Sequence, residues 1–219
     1  MTAQISALKI VSAENAQAAA KLSAAIGQLV LVWWDGEVPP SDPQDALDQF
    51  VDHYWDLASR INLPDSHPWH QSLQVEIAYE STRVLCLALL NSTYAGGAQG
   101  TESLTYANFR PGTGEAIHLT DIFLADIFKA GYAKPLNALG ERHFRELKGL
   151  SPQASLKAAG FNFPGDHFRL NENFAIGADG LTFYFNTQEI ASTRAAGPTK
   201  LFLLYTDIHD LLRPDANIP

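Results

Sequence analysis

Apolar and polar positions change period several times along this chain, and the changes mark out its elements. Residues 5 to 12 alternate weakly and predict a first strand. Ser12 then offers an N-cap to Glu14 through Leu31, a stretch rich in Ala, Leu and Gln that predicts a helix. Its end, Leu29 to Trp34, also reads as a buried strand; the helical reading is preferred, and Pro39 and Pro40 end it. Asp42-Pro43 restarts the chain with an N-cap and a proline at the first helical position. Leu47, Phe50, Val51, Tyr54, Ala58 and Ile61 follow on one helical face, while Asp45, Asp48, Asp52 and Asp56 lie mostly elsewhere.

From Ser72 to Phe109 the period drops to two. Leu73, Val75, Ile77 and Tyr79 alternate with polar residues, Val84 to Leu90 is a continuous apolar strand suited to a sheet centre, and Ser103 to Phe109 alternates again. Pro111-Gly112-Thr113-Gly114 is a turn, and Thr120-Asp121 opens a short helical segment through Phe128. Leu136, Leu139, Phe144, Leu147 and Leu150 predict a helix, and Ser151-Pro152 caps another that ends at Gly160. Phe168 to Ile176 and Leu181 to Phe185 flank Gly177-Ala178-Asp179-Gly180, a β-hairpin signature. Leu201 to Tyr205 is a last strand, and Thr206 caps a closing helix through Leu212. Strands that cluster without regular alternation with helices predict an α+β fold, a mostly antiparallel sheet with several packing helices. The expected organisation is an N-terminal segment, residues 1–63, packing on the sheet of a C-terminal domain, residues 64–219.

Composition narrows the function classes. The net charge of −9, from 15 Lys plus Arg against 24 Asp plus Glu, disfavours nucleic acid and attracts basic partners. The single cysteine, Cys86, lies inside an apolar strand, which fits a small buried hydrophobe better than a nucleophile. Met1 to Ile10 lacks the apolar centre of a secretory signal, and Leu29 to Trp34 is too short to span a bilayer.

Catalytic signatures are missing. Gly96-Gly97 and Gly100 follow a strand, yet no helix start follows them, so the segment fits a turn needing positive φ and not a phosphate loop. His67-Pro68-Trp69-His70 gives His-x-x-His with Asp65 nearby, but no second ligand pair appears, so no metal or cofactor is implied. There is no Gly-x-Ser-x-Gly elbow. Glu76 and Glu80 share one strand face, where a solvated surface explains them. Among Trp33, Trp34, Trp55 and Trp69, the last, in a proline-flanked loop, is the best exposed candidate for ligand contact.

Tyr94-Ala95-Gly96-Gly97-Ala98-Gln99-Gly100, taken with Asp179 to Ala191 and Ala195-Ala196-Gly197-Pro198, resembles a bacterial extracytoplasmic domain of unknown function. That domain forms the C-terminal part of lysozyme-sensing anti-sigma factors and accompanies some peptidoglycan deacetylases. The resemblance spans Asn62 to Leu212. It departs from the family at Gln99, where a histidine is usual, and at Gln188 to Thr193, which keeps Glu189, Ile190 and Ala191 without the family's tyrosines and proline. It implies a non-catalytic envelope binding or sensor domain, periplasmic or extracytoplasmic, with any signal or membrane anchor removed. The implied partner is a basic protein such as a lysozyme, or peptidoglycan. The alternatives are an immunity-type inhibitor of a wall hydrolase or toxin, and an enzyme modifying wall carbohydrate. Trp69, Gln99, Gln188, Glu189 and Arg194 are the candidate ligand contacts, with Arg194 placed to pair with Glu189.

Overall fold

A computed structural model describes residues 1–10, 15–31, 39–61, 69–96, 98–124, 134–191 and 197–219. These residues form seven strands and five α-helices. The strands make two sheets, β1-β2-β3-β4 and β5-β6-β7, and the class is α+β as the pattern predicts. The chain divides into two compact units. The first is Met1–Ile77 with Ala88–Leu104 and Pro111–Glu115; the second is Ala78–Leu87 with Thr105–Arg110 and Ala116–Pro219. β2 (His70–Glu80), β3 (Leu85–Tyr94) and β4 (Thr101–Phe109) contribute residues to both. Pro64, where the sequence places a junction, lies outside the described residues.

In the first unit, β1 (Thr2–Ser6) pairs in parallel with β2, from Thr2 opposite His70 to Ser6 opposite Gln74. The strand begins earlier than the alternation over 5 to 12 suggests. α1 (Ala16–Leu31) buries Ala18, Leu22, Ile26 and Val30, one stripe at four-residue spacing. Its N-cap is Asn15, whose Oδ1 accepts from the amides of Gln17 and Ala18 at 3.0 and 3.2 Å; the expected cap, Ser12, lies outside the described residues. The 111–114 turn packs on this helix. Gly114 has φ +74, and a Cβ there would lie 2.6 Å from the Ala18 carbonyl oxygen, so only glycine fits. α2 (Pro43–Ile61) starts as predicted: Asp42 accepts from the Asp45 amide at 2.9 Å, and the Asp45 carboxylate accepts from the Ser41 amide at 2.7 Å. Its apolar face buries Ala46 and Phe50 and packs on β1 and α1.

The second unit holds the larger core. α4 (Lys134–Lys148) inserts Phe144, fully buried, among Phe161, Phe163 and Phe168 at centroid distances of 4.9 to 5.5 Å. Leu147, expected on the same face, is 57% exposed. α3 is a single turn, Leu119–Ile122, and the continuation expected through Phe128 falls outside the described residues after Leu124. β5 (Phe174–Ile176), β6 (Gly180–Phe185) and β7 (Thr199–Leu204) form an antiparallel sheet whose hairpin turns at Gly177–Gly180, as predicted. Two asparagines tie β5 to β4. Asn108, 3% exposed, donates to the Phe174 carbonyl at 2.7 Å and accepts from the Ile176 amide at 2.9 Å. Asn173 accepts from the Tyr106 amide at 2.8 Å. The side-chain amide of Asn108 thus does the work of a missing peptide in a ladder.

Two helix predictions are corrected. Residues 151–160 form consecutive turns, not a helix. The Ser151 carbonyl accepts from the Ala154 amide at 3.1 Å, a three-residue turn, and the carbonyls of Ser151 and Ala154 both accept from the Arg145 guanidinium at 2.9 Å. The Ala158 amide goes to Ser155 Oγ. α5 (Tyr205–Ile208) begins after Leu204, so Thr206 sits inside the helix and does not cap it.

Candidate functional site

Trp69 immediately precedes β2 in the first unit, and the structure overturns its expected exposure: only 5% of it is accessible. The alternation that puts Leu73 and Val75 inward extends back through Gln71 to Trp69, so strand parity buries the indole. The core face of α2 supplies its surroundings. Phe50, His53 and Tyr54 lie 5.9, 5.6 and 5.4 Å from the Trp69 ring, and Tyr54 in turn meets Trp55 edge-on at 5.2 Å. Trp55 is 62% exposed, so a row of aromatic rings runs from the interior of the unit to solvent.

Hydrophobic packing around Trp69 leaves one polar account open. Its Nε1–H is buried and has no hydrogen-bond partner, a state that costs a donor about 1–3 kcal/mol. Gly96 stands beside it with φ +86. A Cβ built there would lie 3.6 Å from Nε1. Gly96 therefore takes the positive φ that the sequence predicts for this segment. Gln99, in the same segment, is exposed.

Gln71, wholly buried, lies one strand step inward from Trp69. Its Nε2 donates to Asn91 at 2.6 Å, and its Oε1 accepts from Thr93 at 2.6 Å. Sequence reasoning passed over these three residues. The available signal was Gln71 itself, a polar residue at buried parity between Trp69 and Leu73.

The outer face of α2 has opposite character. Asp48, Asp52 and Asp56 are exposed one turn apart and, with Trp55, fall within an arc of about 100° on the helix. Asp56 pairs with Arg60 at 2.9 Å, both well exposed, and Asp48 accepts from Gln44.

The remaining predicted contacts lie in the second unit. Asn186–Glu189 is a turn closed by the Glu189 amide on the Asn186 carbonyl at 3.1 Å, with Gln188 held at φ 69 and its side chain exposed. Both Glu189 oxygens are engaged: Oε1 accepts from Asn171 Nδ2 at 2.7 Å and Oε2 from the Asn186 amide at 2.8 Å. Glu189 thus clamps its own turn. Arg194, and with it the expected pairing to Glu189, lies outside the described residues, as do Asp65 and His67 of the weighed metal site; His70 is a half-buried residue of β2. Among the described residues no group of three His, Cys, Asp or Glu side chains is placed to hold a metal ion, and no helix is long and apolar enough to cross a membrane. Cys86 is fully buried, and burial pushes its thiol up to about 12. Burial likewise raises the phenol of Tyr205, which donates to the Gly177 carbonyl at 3.0 Å. Both shifts follow from packing.

Comparison with known proteins sets this geometry in a family context. No curated protein matches the chain. Solved structures share its fold, among them two of DUF3298 proteins. A member of the DUF3298 family from Bacteroides fragilis is 19% identical with a TM-score of 0.70, covering 94% of this chain and 82% of its own. A DUF3298 family protein from Pseudomonas aeruginosa PAO1 is 16% identical with a TM-score of 0.69, covering 91% and 82%. Trp69 and Gly96 precede the segment that matches a family profile, residues 125–206, and that profile is DUF3298, a protein family of unknown function.

Proposed function

We propose that this chain is a non-catalytic binding module of the cell envelope, and that a basic wall-active protein of the lysozyme type docks on the outer face of α2. The observation that carries the reading is the exposed row of Asp48, Asp52 and Asp56 with Trp55 beside it. Like charges one turn apart destabilise a helix, and the Asp56–Arg60 pair, exposed to solvent, offsets little of this. A cationic partner would relieve the repulsion. The net charge of −9 would speed its approach, and an exposed tryptophan is a typical anchor at the centre of such a contact. The resemblance to lysozyme-sensing anti-sigma factors motivates the extracytoplasmic setting.

Titration with hen-type lysozyme at low and moderate salt tests the reading. Saturable binding that weakens with salt, and weakens further in a Asp48→Asn, Asp52→Asn, Asp56→Asn triple variant, is the expected result. Binding that ignores the triple substitution, or no binding at low salt, would remove the α2 face as the docking surface. Stoichiometric arrest of wall hydrolysis in the same titration would make the module an inhibitor as well as a receptor.

A further inference from the structure

The three-stranded sheet of the second unit carries an inference independent of the acidic face of α2. We propose that β7 is an interface strand, and that a second copy of this chain pairs with it edge to edge, antiparallel, about a two-fold axis at Phe202. Three observations lead there. Among the described residues β7 pairs with β6 alone, and no hydrogen bond outside that ladder reaches the main chain of Lys200 or Phe202. The side chains of β7 alternate strictly: Thr199, Leu201 and Leu203 are buried, whereas Lys200 is exposed and Phe202 and Leu204 are 44% and 42% exposed. The devices that usually blunt a free edge are absent from the strand. It has no proline, and its register with β6 runs unbroken from Thr199 opposite Phe185 to Leu204 opposite Gly180. Phe202 stands at the centre of its outer face, where a charge would deter pairing.

The ladder fixes which groups a partner meets. The Tyr205 amide donates to the Asp179 carbonyl at 3.0 Å, so Tyr205 and every second residue before it turn their main-chain groups toward β6. The N–H and C=O of Lys200, Phe202 and Leu204 therefore point away from the sheet. A two-fold axis at Phe202 sets that residue opposite its own copy as a hydrogen-bonded pair, with Lys200 opposite Leu204 on either side. This register favours a second copy as the occupant. It places the two phenyl rings side by side as a cross-strand aromatic pair, and it keeps the one charge of the strand from facing its like. Each Lys200 comes instead to the end of the other β7 that leads into α5, where Asp207 is exposed, so the charges at both ends of the pair are complementary. The β6 neighbours of Phe202 and Lys200 are Thr182 and Tyr184, both uncharged, so the centre of the joined face is apolar.

Analytical ultracentrifugation of the whole chain over a concentration series tests the proposal. The expected result is a reversible monomer–dimer equilibrium. Phe202→Lys and Phe202→Glu each set like charges opposite one another at the axis, and each should lose the dimer. Mixing the two variants in equal amounts should restore association as a heterodimer, because the register then sets opposite charges face to face. Hydrogen exchange on the wild-type chain gives a readout that needs no substitution. The Lys200 and Phe202 amides should exchange fast at low concentration and slow as the dimer fraction rises, while the Leu201 and Leu203 amides, held by β6, stay protected throughout. The Asp48/Asp52/Asp56 triple variant should dimerise normally, which separates this strand from the protein-docking face. A wild-type chain that stays monomeric, a dimer that survives both Phe202 substitutions, or exchange at Phe202 that ignores concentration would each overturn the proposal. So would variants that fold as monomers and fail to associate when mixed.

Discussion

Asn108→Ala should be among the most damaging single substitutions in the second unit. The side chain is 3% exposed and satisfies two buried backbone groups of β5, the Phe174 carbonyl at 2.7 Å and the Ile176 amide at 2.9 Å. Alanine leaves both unpaired next to Ile176, which is itself wholly buried. Each orphaned group costs about 1–3 kcal/mol, so the loss is about 2–6 kcal/mol, a large share of the roughly 5–15 kcal/mol that holds a typical domain. Denaturant titration at unchanged m-value measures it. Asn108→Asp refines the test. The aspartate keeps an acceptor for the Ile176 amide but, when ionised, faces the Phe174 carbonyl with nothing to donate. Its folded pKa must therefore rise above the ordinary value of about 3.9. A raised folded pKa gives stability that is present below the unfolded value and lost as pH rises through the folded one. The deficit of Asn108→Asp against wild type, taken at each pH, should thus be small near pH 4 and approach that of alanine at neutral pH. An alanine penalty below about 1 kcal/mol, or an aspartate deficit that does not change with pH, would refute the account of Asn108 as a peptide surrogate.

Gln188→Gly should stabilise the protein by about 0.5–1 kcal/mol, since glycine relieves a left-handed residue at φ 69 at a modest entropic cost; a melt at higher temperature checks it. Cys86, with its thiol raised to about 12 by burial, should resist alkylation in the native state, and its labelling should proceed only as fast as the unit opens. Its folded value lies above the unfolded one, so its share of stability is lost on the alkaline side, as pH climbs toward that value; a pH series of melts reads the effect. Asp166 is held below the ordinary carboxylate range by the Lys157 amide first and Ser155 second. Its contribution is therefore present above the unfolded value and lost as pH falls through the folded one, and Asp166→Asn should lower stability at neutral pH while flattening the acid limb of the profile.

The parts of the fold written in short-range pattern were legible. α2 announces itself by Asp42-Pro43 and an apolar face from Leu47 to Ile61, and the Gly177–Gly180 hairpin by its flanking strands. The misreadings occurred where a distant group decides local structure. Ser151-Pro152 is a sound helix start by propensity, but Arg145, one turn before the end of α4, binds the Ser151 and Ala154 carbonyls and holds the segment in a three-residue turn. Trp69 looked like a loop residue because His67 and Pro68 precede it, although its parity with Leu73 and Val75 already assigned it to the buried face. No local signal foretold that Asn108 would stand in for a strand hydrogen bond, because its partners lie more than sixty residues away.

The candidate sites divide along the same line. Polar residues in a loop after a hairpin invite a recognition role, and Gln188 and Glu189 are of that kind. In the folded unit, however, each Glu189 oxygen already has a donor, and Asn171 Nδ2 is shared between Glu189 and the Tyr184 carbonyl. A ligand that recruited Glu189 would have to share oxygens already held by Asn171 and the Asn186 amide. At Trp69 the indole N–H has no hydrogen-bond partner, but the atom is closed to solvent. Residue type alone ranks the glutamate above the indole as a polar contact. Which polar groups are already engaged, and which are closed to solvent, is decided only by the fold, which clamps Glu189 in its turn and buries Trp69 under α2.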